Sequence, residues 1–274
     1  LVSFILGGTA FDEQHIQVAH ILPAHAPPAQ QRKLSRAVLT TLEADMMHRL
    51  TGLSSMATRH ILADLVRDYE RLKGIKVEIR SMGGVEAAKL ARAGEPTDVV
   101  ALASKVMEGL EAEGHIAKGS IRGFARSEIA LAVLAGSRRP ALDNENTVRQ
   151  AMIEARRLCY STGPSGDHFK LLCDKWGLAD SVLARALKAP PGVPVATLVA
   201  NGDADLGIQQ LSELVGQAGI EVVGPLPAEI QAVTVFAAGV STTSTEPEAA
   251  SALVAYLASA ETQGVIRRHG MEPA

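Results

Sequence analysis

From residue 48 onward the apolar residues switch repeatedly between a period of two and a period near 3.6. That alternation constrains the fold more than any other feature of the chain. His48–Leu53 reads as a short strand. In Ala57–Arg71 apolar residues recur at 57, 61, 62, 65, 66 and 69, and again at 72, which is helical spacing, and Gly74 closes the helix. Ile75–Arg80 alternates Ile, Val, Ile with Lys, Glu, Arg, as a strand with one wet face does. Val85–Ala93 and Lys105–Glu113 read as helices closed by Gly94 and Gly114. Asp98–Leu102 and Ile129–Leu134 read as strands buried on both faces. Val148–Ala155, Leu158–Tyr160 and Phe169–Trp176 continue the alternation. A helix at Val193–Ala200, a strand at Leu206–Gln209, an edge-type strand at Glu221–Val223 and a long strand at Val233–Val240 follow. Pro247–Ala258 and Glu261–His269 read as closing helices. Strands and helices in this order specify an α/β fold, with mainly parallel sheets and helices on both faces.

The first 45 residues do not share the pattern. They hold His15, His20 and His25, with Pro23, Pro27 and Pro28, and Gln30–Leu42 reads as a short helix. Leu1–Leu6 is apolar but far shorter than the ~20 residues of a membrane span, and no basic segment precedes it. Residues 1–45 read as an extension outside the fold. Met46 or Met47 would open directly into the first strand, and a start there would make the protein cytoplasmic.

Composition removes several function classes. The 27 basic residues against 30 acidic give a net charge of −3, so no broad basic surface awaits nucleic acid. One Trp, three Tyr and five Phe supply few stacking platforms. Cys159 and Cys173 are too few for a disulfide framework or a four-cysteine metal site, and read as two small buried hydrophobes. The chain lacks GxxxxGK[ST], GxGxxG with a following acid, GxSxG and HExxH. No cofactor and no metal is expected.

The informative positions are the loops that follow the strands. Ser54-Ser55-Met56, Gly83-Gly84 after Ser81-Met82, Ser104, and Ser161-Thr162-Gly163-Pro164-Ser165-Gly166 all lead into helices. A fifth loop, around Gly192-Val193, leads into another. Free N–H groups and a partial positive charge at helix starts bind anions without a cluster of Lys or Arg. Each loop alone is equally an ordinary cap; together they form a candidate anion site. Gln209-Gln210 ends a buried strand, where a polar amide needs a partner or a ligand carboxylate. Arg59 and Arg126 are either bidentate anion contacts or solvated surface cations. If the chain is an enzyme, His60, His168 and Glu213 are its candidate proton carriers.

The order of these loops, with Ala93-Gly94-Glu95-Pro96-Thr97-Asp98-Val99-Val100 as its most distinctive stretch, resembles the molybdate-binding-protein-like branch of type 2 periplasmic solute-binding proteins over residues 48–274. The resemblance implies two α/β lobes, 48–126 plus 236–274 and 127–235. Crossing strands near Arg126–Ala130 and Thr234–Ala238 would join them around a ligand cleft. It also implies a periplasmic location, a small anionic ligand, an ABC-transporter membrane component as partner, and no insertion into the membrane. Ser55 matches the first serine of the molybdate pattern. Gly83-Gly84 replaces the second serine loop, and Gln209-Gln210 stands where a tyrosine is expected. Tyr160–Gly166, Ala189–Val195 and Gln209–Glu213 are similar to a sub-branch that includes aconitate isomerase. Two functions follow: capture of an oxyanion or a di- or tricarboxylate, or cofactor-free isomerisation of cis- and trans-aconitate by allylic proton transfer.

Overall fold

Two sheets, each built around one strand that is apolar along its length, organise the chain. The computed structural model describes residues 49–190 and 192–274. The expectations for residues 1–45, Met46 and Met47, and for His48, lie outside the described residues. Leu50–Ala274 forms one unit.

The first part of the chain runs through β1 (Arg49–Ser55), a 3-10 turn at Met56–Thr58, α1 (Arg59–Lys73), β2 (Lys76–Met82), α2 (Gly84–Arg92), β3 (Val99–Ala103), α3 (Ser104–Ala112) and β4 (Arg122–Ser127). The middle part holds β5 (Ile129–Leu134), α4 (Glu145–Glu154), β6 (Leu158–Tyr160), α5 (Pro164–Lys175), β7 (Leu187–Lys188), α6 (Val195–Ala200), β8 (Leu206–Gln210), α7 (Leu211–Leu214) and β9 (Ile220–Pro225). The chain then returns through β10 (Thr234–Val240), α8 (Pro247–Leu257), α9 (Gln263–Arg268) and β11 (Glu272–Pro273). The six-stranded sheet has the order β11-β4-β10-β3-β1-β2, and the five-stranded sheet the order β7-β6-β8-β5-β9.

The expected α/β class with helices on both faces is what the chain adopts. The sheets, however, are mixed rather than mainly parallel. β1 pairs parallel with β3, and β6 with β7 and β8. β10 runs antiparallel to both β3 and β4, and β5 antiparallel to both β8 and β9. The reversed strands are those that carry the chain from one sheet to the other. β5 enters the second sheet straight after β4, and β10 returns to the first with only a 3-10 turn at Ala228–Ile230 before it. The continuous burial of β5 arises between two antiparallel neighbours, so burial on both faces did not require parallel pairing.

Period-two packing explains both cores. In β3, Val99 and Ala101 face α1 and α8 residues such as Ile61, Leu65, Leu253 and Val254. Val100 and Leu102 face Ala87, Ala88, Met107 and Leu110 of α2 and α3. In β5, Ile129, Leu131 and Val133 meet Val148, Met152, Phe169 and Leu172 of α4 and α5. Ala130 and Ala132 on the other face meet Ala196 and Leu214. Those small residues let α6 and α7 lie close to the sheet. Gly207 of β8 serves the same end: a Cβ there would lie 2.6 Å from Val195 Cγ1 and 2.8 Å from Val199 Cγ2. Both cysteines are buried in this core, and desolvation pushes Cys159 up to about 12 and Cys173 to about 11. Neither thiol is reactive at neutral pH.

The segments linking the sheets are fastened by side chains. Gln231 Oε1 accepts from Ile129 N (2.9 Å), and its Nε2 donates to the carbonyls of Ile129 (3.0 Å) and Leu226 (3.1 Å). Leu211 N donates to Glu128 O (2.8 Å), and Ser212 Oγ lies 3.3 Å from Ser127 Oγ. The first crossing falls at Glu128. The second occupies the residues between Pro225 and Thr234, ahead of the expected Thr234–Ala238, because Gln231 holds that segment against Ile129. The Ala93–Val100 stretch has a structural task. Gly94 closes α2 with φ 74°. Asp98 accepts from Thr51 N (2.8 Å) and Ser244 Oγ (2.7 Å), which fixes β1 to the turn before α8.

Candidate functional site

The carboxyl ends of β1, β2 and β3 in one sheet and of β6 and β8 in the other border a single cavity of about 440 Å³. That volume lies within the usual range for small-ligand sites. The first sheet contributes Ser55, Met56, Gly83, Gly84, Val85, Ala103, Lys105 and Val106. The second contributes Ser161, Thr162, Gly163, Ser165, Pro190, Gly192, Val193, Pro194, Gln209, Gln210 and Glu213. Phe236 of β10, Arg92 and Asp167 line it too.

Local sequence sets this geometry. Ser54 and Ser55 point to opposite sides of β1. Ser54 Oγ is fully buried and bonds Ser81 Oγ at 2.7 Å, whereas Ser55 lines the cavity with its Oγ 3.4 Å from Thr58 Oγ1. α2, α3 and α5 all begin at the cavity, and none has a side-chain cap. The full capping box of Asn144 and Thr147 starts α4 instead. At α5, Gly163 has φ 99° and Pro164 opens the helix. Ser161 and Ser165 hydroxyls meet at 2.8 Å. Gly166 lets that first turn close, since a Cβ there would lie 1.8 Å from Ser161 O. A side chain at Gly83 would start in open space, and one at Gly84 would meet only Ser55 Cβ at 3.8 Å.

The charges are few and mostly paired. Arg92 is held by Glu113 (Nε to Oε2, 2.6 Å), and Asp167 by Lys170 (2.7 Å). Lys105 lines the cavity and forms no ion pair among the described residues. Glu213 also lines it, with most of its side chain packed away. Burial pushes its carboxyl up to about 7, against the smaller opposing pull of Gln209 and of the Arg59 charge. The Gln209 amide is fixed at both ends: Oε1 accepts from Val195 N (3.2 Å), and Nε2 donates to Glu213 Oε2 (2.6 Å). Gln209 thereby caps α6 from a neighbouring strand. Gln210 binds the crossings, with Oε1 accepting from Thr234 Oγ1 (2.9 Å) and Nε2 donating to Ser127 O (3.2 Å) and Glu128 O (3.3 Å).

The structure thus brings together Ser55, Met56, Gly83, Gly84, Ser161, Thr162, Gly163, Ser165, Gly192, Val193, Gln209, Gln210 and Glu213. It places the other expected residues outside the lining. Ser54 and Gly166 are consumed by packing, and Ser104 gives way to its neighbour Lys105. Arg126 Nε donates to Pro273 O (2.9 Å), which fastens β11. Arg59 Nη2 donates to His60 Nε2 (3.1 Å), and desolvation with the Arg59 charge lowers the His60 pKa. His168 Nε2 lies 2.7 Å from Ile230 O, where its ring N–H donates. Lys105, Arg92 and Phe236 were not expected at the site. A Lys in the first turn of a helix and a Phe inside an apolar strand carry no sequence signal that separates them from surface and core.

Comparison with known proteins agrees with the fold. Residues 50–272 match the family described as bacterial extracellular solute-binding protein. The chain is 36% identical over 239 residues to a protein named aconitate isomerase from a Pseudomonas species, covering 85% of this chain and 90% of that one. Among solved structures, the Azotobacter vinelandii periplasmic molybdate-binding protein superposes with a TM-score of 0.69 at 21% identity, covering 81% of this chain and 98% of that one. The tungstate ABC transporter structure from Geobacter sulfurreducens gives 0.64 at 14% identity, covering 81% and 99%. These two share the two-lobed fold. With the match spanning all but the ends of the described chain, the protein belongs to the bacterial extracellular solute-binding protein family.

Proposed function

We propose that the cavity takes up a small anion bearing two or three carboxylates. In this reading the lobes, 48–126 with 236–274 and 127–235, close over it, and the protein works in the periplasm beside an ABC-transporter membrane component. No helix among the described residues is long and apolar enough to cross a membrane. The observation that carries the reading is the convergence on one cavity of three helix starts without a side-chain cap, α2, α3 and α5, with Lys105, which has no ion-pair partner among the described residues. Separate donors at several points of the wall suit an anion with separated carboxylates. A compact tetrahedral oxyanion would want its donors in one cluster, and bare Gly83-Gly84 offers no second hydroxyl there. A thermal-shift panel tests this: trans-aconitate, cis-aconitate and citrate are expected to raise the melting temperature more than molybdate. Stabilisation by molybdate alone would refute it.

One feature favours a second reading, catalysis. Glu213 is a carboxyl facing a site for carboxylates. When ionised it repels the ligand, so it weakens pure capture. A carboxyl poised near neutrality beside a bound acid is what proton transfer needs. Together with the 36% identity to an aconitate isomerase, this supports isomerisation of aconitate without a cofactor. Chromatography of trans-aconitate incubated with the purified protein tests it, and the absence of the cis isomer would refute it.

A further inference from the structure

The Glu213 carboxyl is fixed at one oxygen and open at the other. Val195 N–H occupies the Gln209 carbonyl oxygen, so the Gln209 amide nitrogen is the end that faces Glu213. An amide N–H only donates, which keeps Glu213 Oε2 an acceptor in both charge states. A proton on this carboxyl therefore resides on Oε1, which takes part in no hydrogen bond with the described residues. The open part of the side chain belongs to the cavity lining, while the two expected histidines, His60 and His168, lie outside that lining.

We propose that Glu213 is the proton carrier of aconitate isomerisation, working through Oε1, with Gln209 as its positioning residue; the proposal rests on the isomerase reading above. In the first step the C–H bond of the substrate methylene breaks and an O–H bond forms on Glu213. The electron pair spreads over the adjoining double bond and carboxylate. In the second step the O–H bond breaks and a C–H bond forms at the former vinylic carbon. The double bond has then moved, with no net gain or loss of protons or electrons and no co-reactant. The carbanionic charge appears in a cavity bordered by the starts of α2, α3 and α5 and by Lys105, where fixed donors stabilise it. Arg59 is the charged group that acts on Glu213, and Arg92, Lys105 and Asp167 line the same cavity. The raised pKa of Glu213 makes it a stronger base than an ordinary carboxylate while leaving it ionised in part at neutral pH.

The test compares the full chain with E213Q, E213D and Q209A, using trans-aconitate. E213Q is expected to lose at least about 10²-fold in kcat while trans-aconitate still raises its melting temperature. E213D is expected to retain slower turnover with the acid limb of its pH profile displaced. Q209A is expected to move that limb as well, an effect that lost packing alone does not produce. If the unaltered protein isomerises aconitate and E213Q stays within about threefold of it, the proposal fails and the isomerase reading stands. If the unaltered protein binds aconitate without converting it, both fail. Should E213Q not fold, an E213D variant with unchanged kcat and unchanged pH profile overturns the proposal.

Discussion

Gln231 bonds both main-chain groups of Ile129, accepting from its N–H at 2.9 Å and donating at 3.0 Å to a carbonyl that also accepts from Leu226 N. A side chain here stands in for a strand neighbour at the first residue past the crossing. Gln231→Ala leaves the Ile129 N–H without this partner, while the carbonyl keeps the Leu226 N–H at 2.9 Å, and one unmet buried polar group costs about 1–3 kcal/mol. Urea unfolding of Q231A is expected to show that loss. A midpoint equal to that of the unaltered protein would show that the crossing holds itself.

Ser55 offers its hydroxyl to the cavity from the end of β1, with only a 3.4 Å contact to Thr58 competing for it. Ser55→Ala is expected to weaken trans-aconitate binding about fivefold, the loss of one hydrogen bond worth about 1 kcal/mol. Calorimetry reads this directly. Unchanged affinity would place the ligand elsewhere in the cavity.

Gly84 lies where a side chain meets only Ser55 Cβ, at 3.8 Å. Gly84→Leu is expected to leave the protein folded, because Leu favours the helix that Gly84 begins. It is also expected to lower ligand affinity by more than tenfold by filling the cavity. Circular dichroism and calorimetry on one sample separate the two effects.

Glu213 makes stability depend on pH in a direction opposite to that of a salt-bridged carboxylate. Its folded-state value, about 7, lies above the ordinary 4.5. Between those values the folded chain binds the proton more tightly than the unfolded chain, so this contribution to stability falls as pH rises. The loss is complete above the folded value and amounts to at most on the order of 3 kcal/mol. Gln at this position is neutral throughout. The melting temperature of E213Q relative to the unaltered protein is therefore expected to climb between about pH 5 and pH 8. A constant difference would mean that water in the cavity solvates the charge fully.

The sheets were legible where a strand is central. Asp98–Leu102 and Ile129–Leu134 are apolar throughout because both faces are covered, and β3 and β5 lie within a residue of those spans. β4, β7 and β11 were not legible. β4 reads Arg-Gly-Phe-Ala-Arg-Ser and owes its place to β10 and β11 beside it rather than to its own pattern. Helix starts drifted for a related reason. α5 begins at Pro164, five residues before the apolar spacing becomes visible, since Pro-Ser-Gly looks like loop even when Pro occupies the first helical position. At the site, serine and glycine after a strand pointed to the cavity because strand ends converge there. Direction along the strand was the missing information: Ser54 and Ser55 are one residue apart and face opposite ways. The role of Gln210 was also hidden, because a bond to Ser127, Glu128 and Thr234 depends on where two distant segments cross.

The bare backbone at Gly83 and Gly84 leaves part of the cavity wall unassigned to any ligand. Each residue added at those two positions would write a different shape or charge onto the site while the sheets, the crossings and the helix starts stayed as they are. What the cavity accepts is therefore open to change at two positions whose side chains would touch none of the residues that pair the strands.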